Sequence, residues 1–307
     1  MPLNYSVFDC HCDTVTLRNL FHTNTQLKKR DIKRFKRYIQ VFAICPENSY
    51  AYSHAVYHIK RYKRLLRLWG LSPITDANTL KNAGFGAILS LEGADALCTN
   101  LAALDMFYKK GVRLLTITWN NNNAAGFSIT SEKGGITPFG KKLIKKCEQK
   151  NILIDLSHLS DEGFYDVCAA AQKPFICSHS NSRHICNNSR NITDDMFKEL
   201  IKINGAVGIN FFPDFLGGSG SMKDILRHID YFCSLGGEKN IGIGSDFDGI
   251  RIMPEGCHSA KFIYDIAENL LRLNYSEKCV SGILFDNFFR IFENCLSGGS
   301  IDEADYS

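Results

Sequence analysis

The sequence predicts an α/β protein, a closed parallel (β/α)8 barrel of the TIM type, on three observations. Eight apolar runs of strand length recur along its 307 residues. Stretches of helical spacing or long loops separate them. Several runs are near-continuous in Val, Ile, Leu and Phe, as strands buried on both faces require. Eight strands alternating with helices in one unit favour closure into a barrel. An open parallel sheet is the alternative.

The expected strands cover residues 6–13, 38–45, 85–93, 113–119, 152–158, 174–179, 206–212 and 241–246. A long helix over 53–71 is inserted between the second and third. Amphipathic patterns over 140–150, 161–172, 194–204 and 222–235 supply helices between later strands. Ser160-Asp161-Glu162 and Thr193-Asp194-Asp195 read as acidic helix starts with a capping hydroxyl. Two terminal helices are expected over 259–273 and 276–296. Residues 297–307 are small, polar and acidic, which predicts a flexible tail.

Composition narrows the class. The chain is 45% hydrophobic and 22% charged, ordinary for a globular protein with a large core. Length alone suggests two domains, but α/β barrels of this size are single domains. One catalytic barrel is therefore expected over 1–296. A net charge of +4 calls for neither nucleic acid nor an anionic membrane as partner. The basic run Lys28-Lys29-Arg30 with Lys33, Arg34, Lys36 and Arg37 reads as a solvated face. The twelve cysteines contain no Cys-x-x-Cys pair, and Cys45, Cys168, Cys177 and Cys233 sit within apolar runs. Buried free Cys behaves as a small hydrophobe. Met1-Pro2-Leu3-Asn4 leads directly into the first strand without a signal peptide, and no apolar run is long enough to span a bilayer. The expectation is a cytoplasmic protein with reduced thiols and no membrane partner. A homo-oligomer is left open.

The first strand ends in Asp9-Cys10-His11-Cys12-Asp13. Strict alternation would put Asp9, His11 and Asp13 on one face, with Cys10 and Cys12 side by side on the barrel-outer face. Imidazole and carboxylate two apart on one face can grip the same divalent cation. Alternatively, they only hydrogen-bond at a polar strand end. The rest of the chain decides between these readings. Barrel sites lie at the C-terminal ends of the strands. His11 and Asp13 end strand one there, Glu92 strand three, His158 strand five, His179 strand six and Asp246 strand eight.

Three His, a Glu and an Asp are too many ligands for one tetrahedral catalytic zinc with an open position. They suit two divalent ions about 3.5 Å apart, bridged by a carboxylate and a water. Glu92 is the natural bridge, with His11 and Asp13 on one ion and His158 and His179 on the other. Zinc is the expected metal.

The Asp9-x-His11-x-Asp13 opening, Glu92-Gly93, Asp155-Leu156-Ser157-His158, Ser178-His179-Ser180, Arg190-Asn191 and Gly244-Ser245-Asp246-Phe247-Asp248-Gly249 resemble the membrane (renal) dipeptidase family of zinc peptidases. The motifs occur in order from about Phe8 to Glu293, and their combination is specific although His-x-Asp alone is not. The resemblance implies a barrel of the metal-dependent amidohydrolase kind with two zinc ions. It carries Glu92 over as bridging ligand, and His11, Asp13, His158 and His179 as terminal ligands. It makes Arg190 the clamp on the substrate carboxylate and Asp246 the proton-transfer residue. Residue types fit those roles: a guanidinium holds a carboxylate by two parallel hydrogen bonds, and an unligated Asp can pass a proton to the leaving amine.

One position departs from the mammalian members, whose fourth strand ends in a substrate-contacting His. Here Trp119 stands there, followed by Asn120-Asn121-Asn122-Asn123, which resembles bacterial relatives. Trp119 or Asn120 supplies a hydrogen bond to the developing oxyanion, or Trp119 only shapes the pocket. The secretory signal and lipid-anchor tail of animal members are also not seen. The expected activity is hydrolysis of small dipeptides by a hydroxide held between two metals. The alternatives are a related binuclear amidohydrolase acting on acyl-amino acids, lactams or other small amides or esters, and a non-catalytic metal-binding barrel.

Overall fold

The computed structural model describes residues 3–17, 20–21, 24–46, 50–131 and 133–298. Among these lie nine strands: β1 (Leu3–Asp9), β2 (Phe35–Ile44), β3 (Ser72–Pro73), β4 (Phe85–Glu92), β5 (Val112–Thr116), β6 (Leu153–Asp155), β7 (Ile176–Ser180), β8 (Ala206–Ile209) and β9 (Ile241–Ile243). All pairings are parallel, in the order β2-β1-β9-β8-β7-β6-β5-β4-β3, and β2 also pairs with β4. That last pairing closes β1, β2 and β4–β9 into an eight-stranded parallel barrel. β3 is an added edge, paired through Ser72 and Pro73 to Gly86 and Ala87 of β4. All eight expected strands are present.

Two apolar layers account for closure. Phe8, Cys10, Ile39, Val41, Ile88, Leu114, Leu153, Ile176 and Ala206 are buried together, one or two from each of seven barrel strands or their ends. Phe285, Phe288, Ile291, Phe292 and Leu296 join that cluster, so the last helical segment plugs the barrel. Phe8 lies 5.0 Å from Phe292 and 5.9 Å from Phe288, centroid to centroid. Alternate strand residues such as Val7, Phe42, Leu89, Leu115 and Val207 pack outward under the helices.

The helices fall where expected: Ala51–Trp69, Pro138–Gln149, Asp161–Ala170, Asp194–Lys202, Met222–Ser234 and Lys261–Arg272. The Ser160 hydroxyl accepts from Gly163 N–H at 3.0 Å, and that of Thr193 from Met196 N–H at 3.2 Å, the two predicted caps. The expected helix over 276–296 is divided by a π-helical turn at Gly282–Asp286. The tail expected over 297–307 lies, from 299 onward, outside the described residues. No described helix is long and apolar enough to cross a membrane. All twelve cysteines are free.

Several strands end earlier than predicted. β1 stops at Asp9, β5 at Thr116, β6 at Asp155, β8 at Ile209 and β9 at Ile243. Only Glu92 and His179 among the proposed ligands lie within strands; His11, Asp13 and His158 lie two to four residues past a strand end. Alternation therefore fails along Asp9–Asp13. Cys10 belongs with the lumen cluster, whereas Cys12 belongs with the outer one. The two cysteines do not share the outer face. Asp9 turns to Ser245, accepting from its hydroxyl and from its N–H at 2.9 Å, while His11 and Asp13 turn over the mouth. Leaving the ladder is what allows consecutive mouth side chains to converge.

Candidate metal centre

Glu92 ends β4 with its carboxylate buried at the mouth. Its Oε1 lies 3.2 Å from His158 Nε2, 3.5 Å from His179 Nε2 and 3.7 Å from His11 Nε2. His11 Nε2 is also 3.7 Å from Asp13 Oδ2 and 3.9 Å from Asp246 Oδ1. The six side chains nominated from the sequence for this mouth thus converge on one point. Ligand atoms of His11, Glu92 and His179 lie within 4.8 Å of one another, as do those of His11, Asp13 and Asp246. His11 belongs to both groups.

The two imidazoles on the far side are held by different devices. His158 Nδ1 is 3.0 Å from Asn120 Oδ1, an acceptor, so the ring proton sits on Nδ1. His179 Nδ1 is 2.8 Å from Ser178 Oγ, and that hydroxyl reaches Asp155 Oδ2 at 2.6 Å. The hydroxyl has one proton, which goes to the carboxylate, so it accepts from His179 Nδ1–H. Asp155 is itself fixed by Thr116 Oγ1 at 2.7 Å and by the N–H groups of Ser157 and Ser178 at 3.0 and 2.8 Å. Both Nε2 atoms then carry lone pairs, and they lie 2.9 Å apart. Burial holds both rings well below the ordinary imidazole pKa, with Arg190 and His11 adding to it. Two neutral nitrogens facing each other leave a place for a cation.

The other ligand-capable atoms agree with that fit. Both ring nitrogens of His11, Asp13 Oδ1 and Glu92 Oε2 are buried without a hydrogen-bond partner. Such atoms are costly unless something pairs with them. Burial pushes Glu92 well above the carboxylate range, and Asp13, Asp246 and Asp155 add to it against His11. Burial opposes charge on His11, but Glu92, Asp13 and Asp246 outweigh it and push the imidazole up to about 10. His, Glu and Asp in this proportion are a donor set for divalent ions such as zinc.

Backbone geometry aims two of these side chains. His158 and Asp246 have φ of +67° and +62°, left-handed values that L residues adopt where surroundings impose them. Asp246 Oδ2 accepts from Asn210 Nδ2 at 3.0 Å, leaving Oδ1 toward His11. Burial, aided by Asp13, pushes Asp246 up to about 6, against His11, Asn210 and Arg190. Asp248, two residues on, is turned away: its oxygens accept from Thr14 Oγ1 and Gln26 N–H, both at 2.6 Å.

The mouth opens into a cleft of about 360 Å³, whose lining includes Arg190, Trp119 and Asn120. This lies in the range of small-molecule sites. Arg190 donates from Nη2 to His179 O at 3.3 Å, its guanidinium 5.4 Å from the Phe215 ring centre, and its buried Nε has no partner. Trp119 is half-buried, its ring 6.4 Å from that of His158. The Asn120 side-chain oxygen is engaged by His158 rather than free in the cleft. Sequence reasoning passed over Phe212, Phe215, Ile250 and Arg251, which line the cleft as well. It also passed over Asn210, and it held Asp155, Ser178 and Gly249 only as motif residues without a role. A Cβ on Gly249 would stand 2.2 Å from Asp13 Oδ2 and 2.4 Å from Asp246 Oδ1, so only glycine admits both carboxylates.

A family model described as membrane dipeptidase, peptidase family M19, matches residues 4–297. Dipeptidase 3 of Macaca fascicularis is 29% identical over 291 residues, covering 91% of this chain and 60% of that protein. Dipeptidase 3 of Rattus norvegicus is 32% identical over 232 residues, covering 72% and 48%. The chain thus spans about half to three fifths of the length of these relatives. Among solved structures, the metallo peptidase dipeptidase AC superposes with a TM-score of 0.85 at 23% identity, over 95% of this chain and 99% of that one. A metallo peptidase from Rhodobacter sphaeroides, liganded with a phosphinate mimic of the dipeptide L-Ala-D-Ala, gives 0.83 at 23% identity, over 94% and 99%. At such identities these structures speak to the barrel fold alone. The family match covers nearly every described residue, and on it the chain belongs to the membrane dipeptidase family, peptidase family M19.

Proposed function

We propose that this protein is a metal-dependent dipeptidase holding two divalent ions, zinc in the first instance. One observation carries the reading. A single carboxylate oxygen, Glu92 Oε1, stands within 3.7 Å of three imidazole Nε2 atoms, with Asp13 and Asp246 beside them. Glu92 would bridge, His158 and His179 would hold one ion, and His11 and Asp13 the other. When bound, such ions polarise the scissile carbonyl and lower the pKa of the attacking water.

The chain's own residues supply the rest. Arg190, whose buried Nε–H has no partner, offers its guanidinium to the free C-terminal carboxylate of the substrate. That contact, at the wall of a cleft of about 360 Å³, selects short peptides over chains that continue past the scissile residue. Asp246 Oδ1 accepts the proton of the attacking water and returns it to the leaving amine. Asn120 acts through His158, whose ring proton it fixes. Trp119 walls the cleft beside that ring.

The test is a substrate panel on purified, metal-loaded protein: free dipeptides, the same dipeptides as C-terminal amides, and N-acyl amino acids. C-terminal D residues are included because the Rhodobacter sphaeroides relative is liganded with an L-Ala-D-Ala mimic. Turnover confined to free dipeptides supports the proposal. Preferential cleavage of acyl-amino acids moves the assignment to another amidohydrolase activity.

A further inference from the structure

Charge is unevenly distributed along this chain. Residues 28–70 contain twelve Lys and Arg against two acids, although the whole protein carries a net charge of only +4. The helix Ala51–Trp69 contributes five of these cations and no Asp or Glu. Lys60 with Arg64, and Lys63 with Arg67, are four apart, where like charges on a helix repel. Lys29 and Lys33 do not relieve this. Their Nζ atoms donate to the carbonyls of Leu68 and Gly70 at the end of the same helix, both at 2.8 Å, which brings two more cations to it.

Beside that helix end lies a cleft of about 530 Å³. Lys63 and Arg67 form one rim, and Lys109 and Lys110, at the end of the helix Leu101–Lys109, form the other. Between them the floor is apolar, from Leu66, Leu71, Pro73 and Ile74, with Thr75 at one side. No Asp or Glu lines it. The position is remote from the metal centre. β3 pairs with Gly86 and Ala87 at the start of β4, whereas Glu92 ends that strand. Five to six residue steps along the strand separate them from Glu92, about 16–20 Å. Lys and Arg at helix C-termini are favourable against the helix dipole. That accounts for one cation at each helix end, not for two facing rims with an apolar floor and no acid.

We propose that this cleft binds an organic polyphosphate of nucleotide size. The phosphates would lie between the rims, where Arg67 can engage two oxygens at once and the lysines act as point charges. The organic part would cover Leu71, Pro73 and Ile74. Volume and lining suit a small ligand. This inference is independent of the reaction at the barrel mouth.

The test is calorimetric titration of the metal-loaded full-length protein with ATP, tripolyphosphate, adenosine and citrate. ATP should saturate one site per chain, tripolyphosphate should bind more weakly, and adenosine and citrate should not saturate. Binding should weaken as salt rises. The double variant Lys63→Gln/Arg67→Gln should bind ATP at least about tenfold more weakly. It should fold and keep its dipeptide turnover, since it removes repulsion far from the mouth. ATP binding unchanged in that variant would place the nucleotide elsewhere and overturn the proposal. So would absence of saturable ATP binding near 0.15 M salt. Equal affinity for tripolyphosphate and ATP would overturn the organic part of the assignment. Single-stranded RNA that binds here and is not displaced by ATP would overturn the cleft in favour of an extended nucleic-acid face.

Discussion

The Nε2 atoms of His158 and His179 stand 2.9 Å apart with no proton assigned between them. Asn120 takes the Nδ1 proton of the first ring, and Ser178, backed by Asp155, takes that of the second. Ring orientation and tautomer are thus set by groups outside the ligand set, while burial, with Arg190 and His11, keeps both rings weakly basic. Ser178→Ala removes the acceptor of His179 and a donor to Asp155. Metal affinity is expected to fall by about 10–100-fold. Competition against a chromophoric chelator measures it; wild-type affinity would show that the relay does not orient His179.

Asp246 and Asp248 are expected to respond differently to the same change. Asp246→Asn keeps shape but cannot accept a proton, and kcat should fall by about 10²–10⁴. KM should change far less, since substrate binding rests on Arg190. Asp248→Asn keeps one acceptor oxygen and loses the other of the two that hold Thr14 and Gln26. It should cost about 1–3 kcal/mol of stability while folded protein keeps its turnover. Denaturant melts and steady-state kinetics on both variants check this; a fully active Asp246→Asn enzyme would falsify the proton assignment.

Recognition of the free carboxylate is expected to depend on a fork, not merely a charge. Arg190→Lys keeps the cation and loses the bidentate geometry. The loss should be about 1.5–3 kcal/mol, or roughly 10–10²-fold in kcat/KM. The variant should also discriminate less between free dipeptides and their amides. Unchanged kcat/KM for free dipeptides would remove Arg190 from that role.

Metal uptake should release protons. Without metal, Glu92, Asp13 and Asp246 push His11 up to about 10 against its burial, so the ring is charged at neutral pH. A ligating imidazole must be neutral. Loading at pH 7–8 therefore expels a proton from the coupled His11–carboxylate cluster, which titrates as a unit. Affinity should rise with pH, by up to about one decade per pH unit for each proton released, until about pH 10. His158 and His179, already neutral, add nothing to this slope. Titrations in buffers of different ionisation enthalpy count the protons, and a count of zero would contradict the charge state given to His11.

The barrel and the convergence of its mouth could be read from the sequence because both rest on strong local signals. Eight apolar runs specify the strands, and His-x-Asp, Glu92, His158, His179 and Asp246 each lie at or just past the end of one of them. The face of each mouth residue could not be read. Alternation holds only within a ladder, and β1 leaves it at Asp9, which separates Cys10 from Cys12 and turns Asp9 toward Ser245. Left-handed backbone at His158 and Asp246 has no signature in the residue types themselves. The Asp155–Ser178 relay joins β6 to β7, and the Asp248 contacts join distant loops. Such links depend on register and closure, which one chain does not print. Gly249 was in view as part of a motif, but its reason lies in the approach of Asp13 and Asp246.

The central claim is a two-metal centre bridged by Glu92, and a metal titration tests it most directly. Stripped protein is loaded stepwise with zinc, and bound metal per chain is measured alongside dipeptide turnover, for wild type and Glu92→Gln. Wild type should saturate at two ions per chain, with full activity only as the second binds. Glu92→Gln, neutral and unable to bridge as a carboxylate, should retain less metal and lose turnover. Full wild-type activity at one ion per chain, or a Glu92→Gln protein with two ions and unchanged turnover, would contradict it.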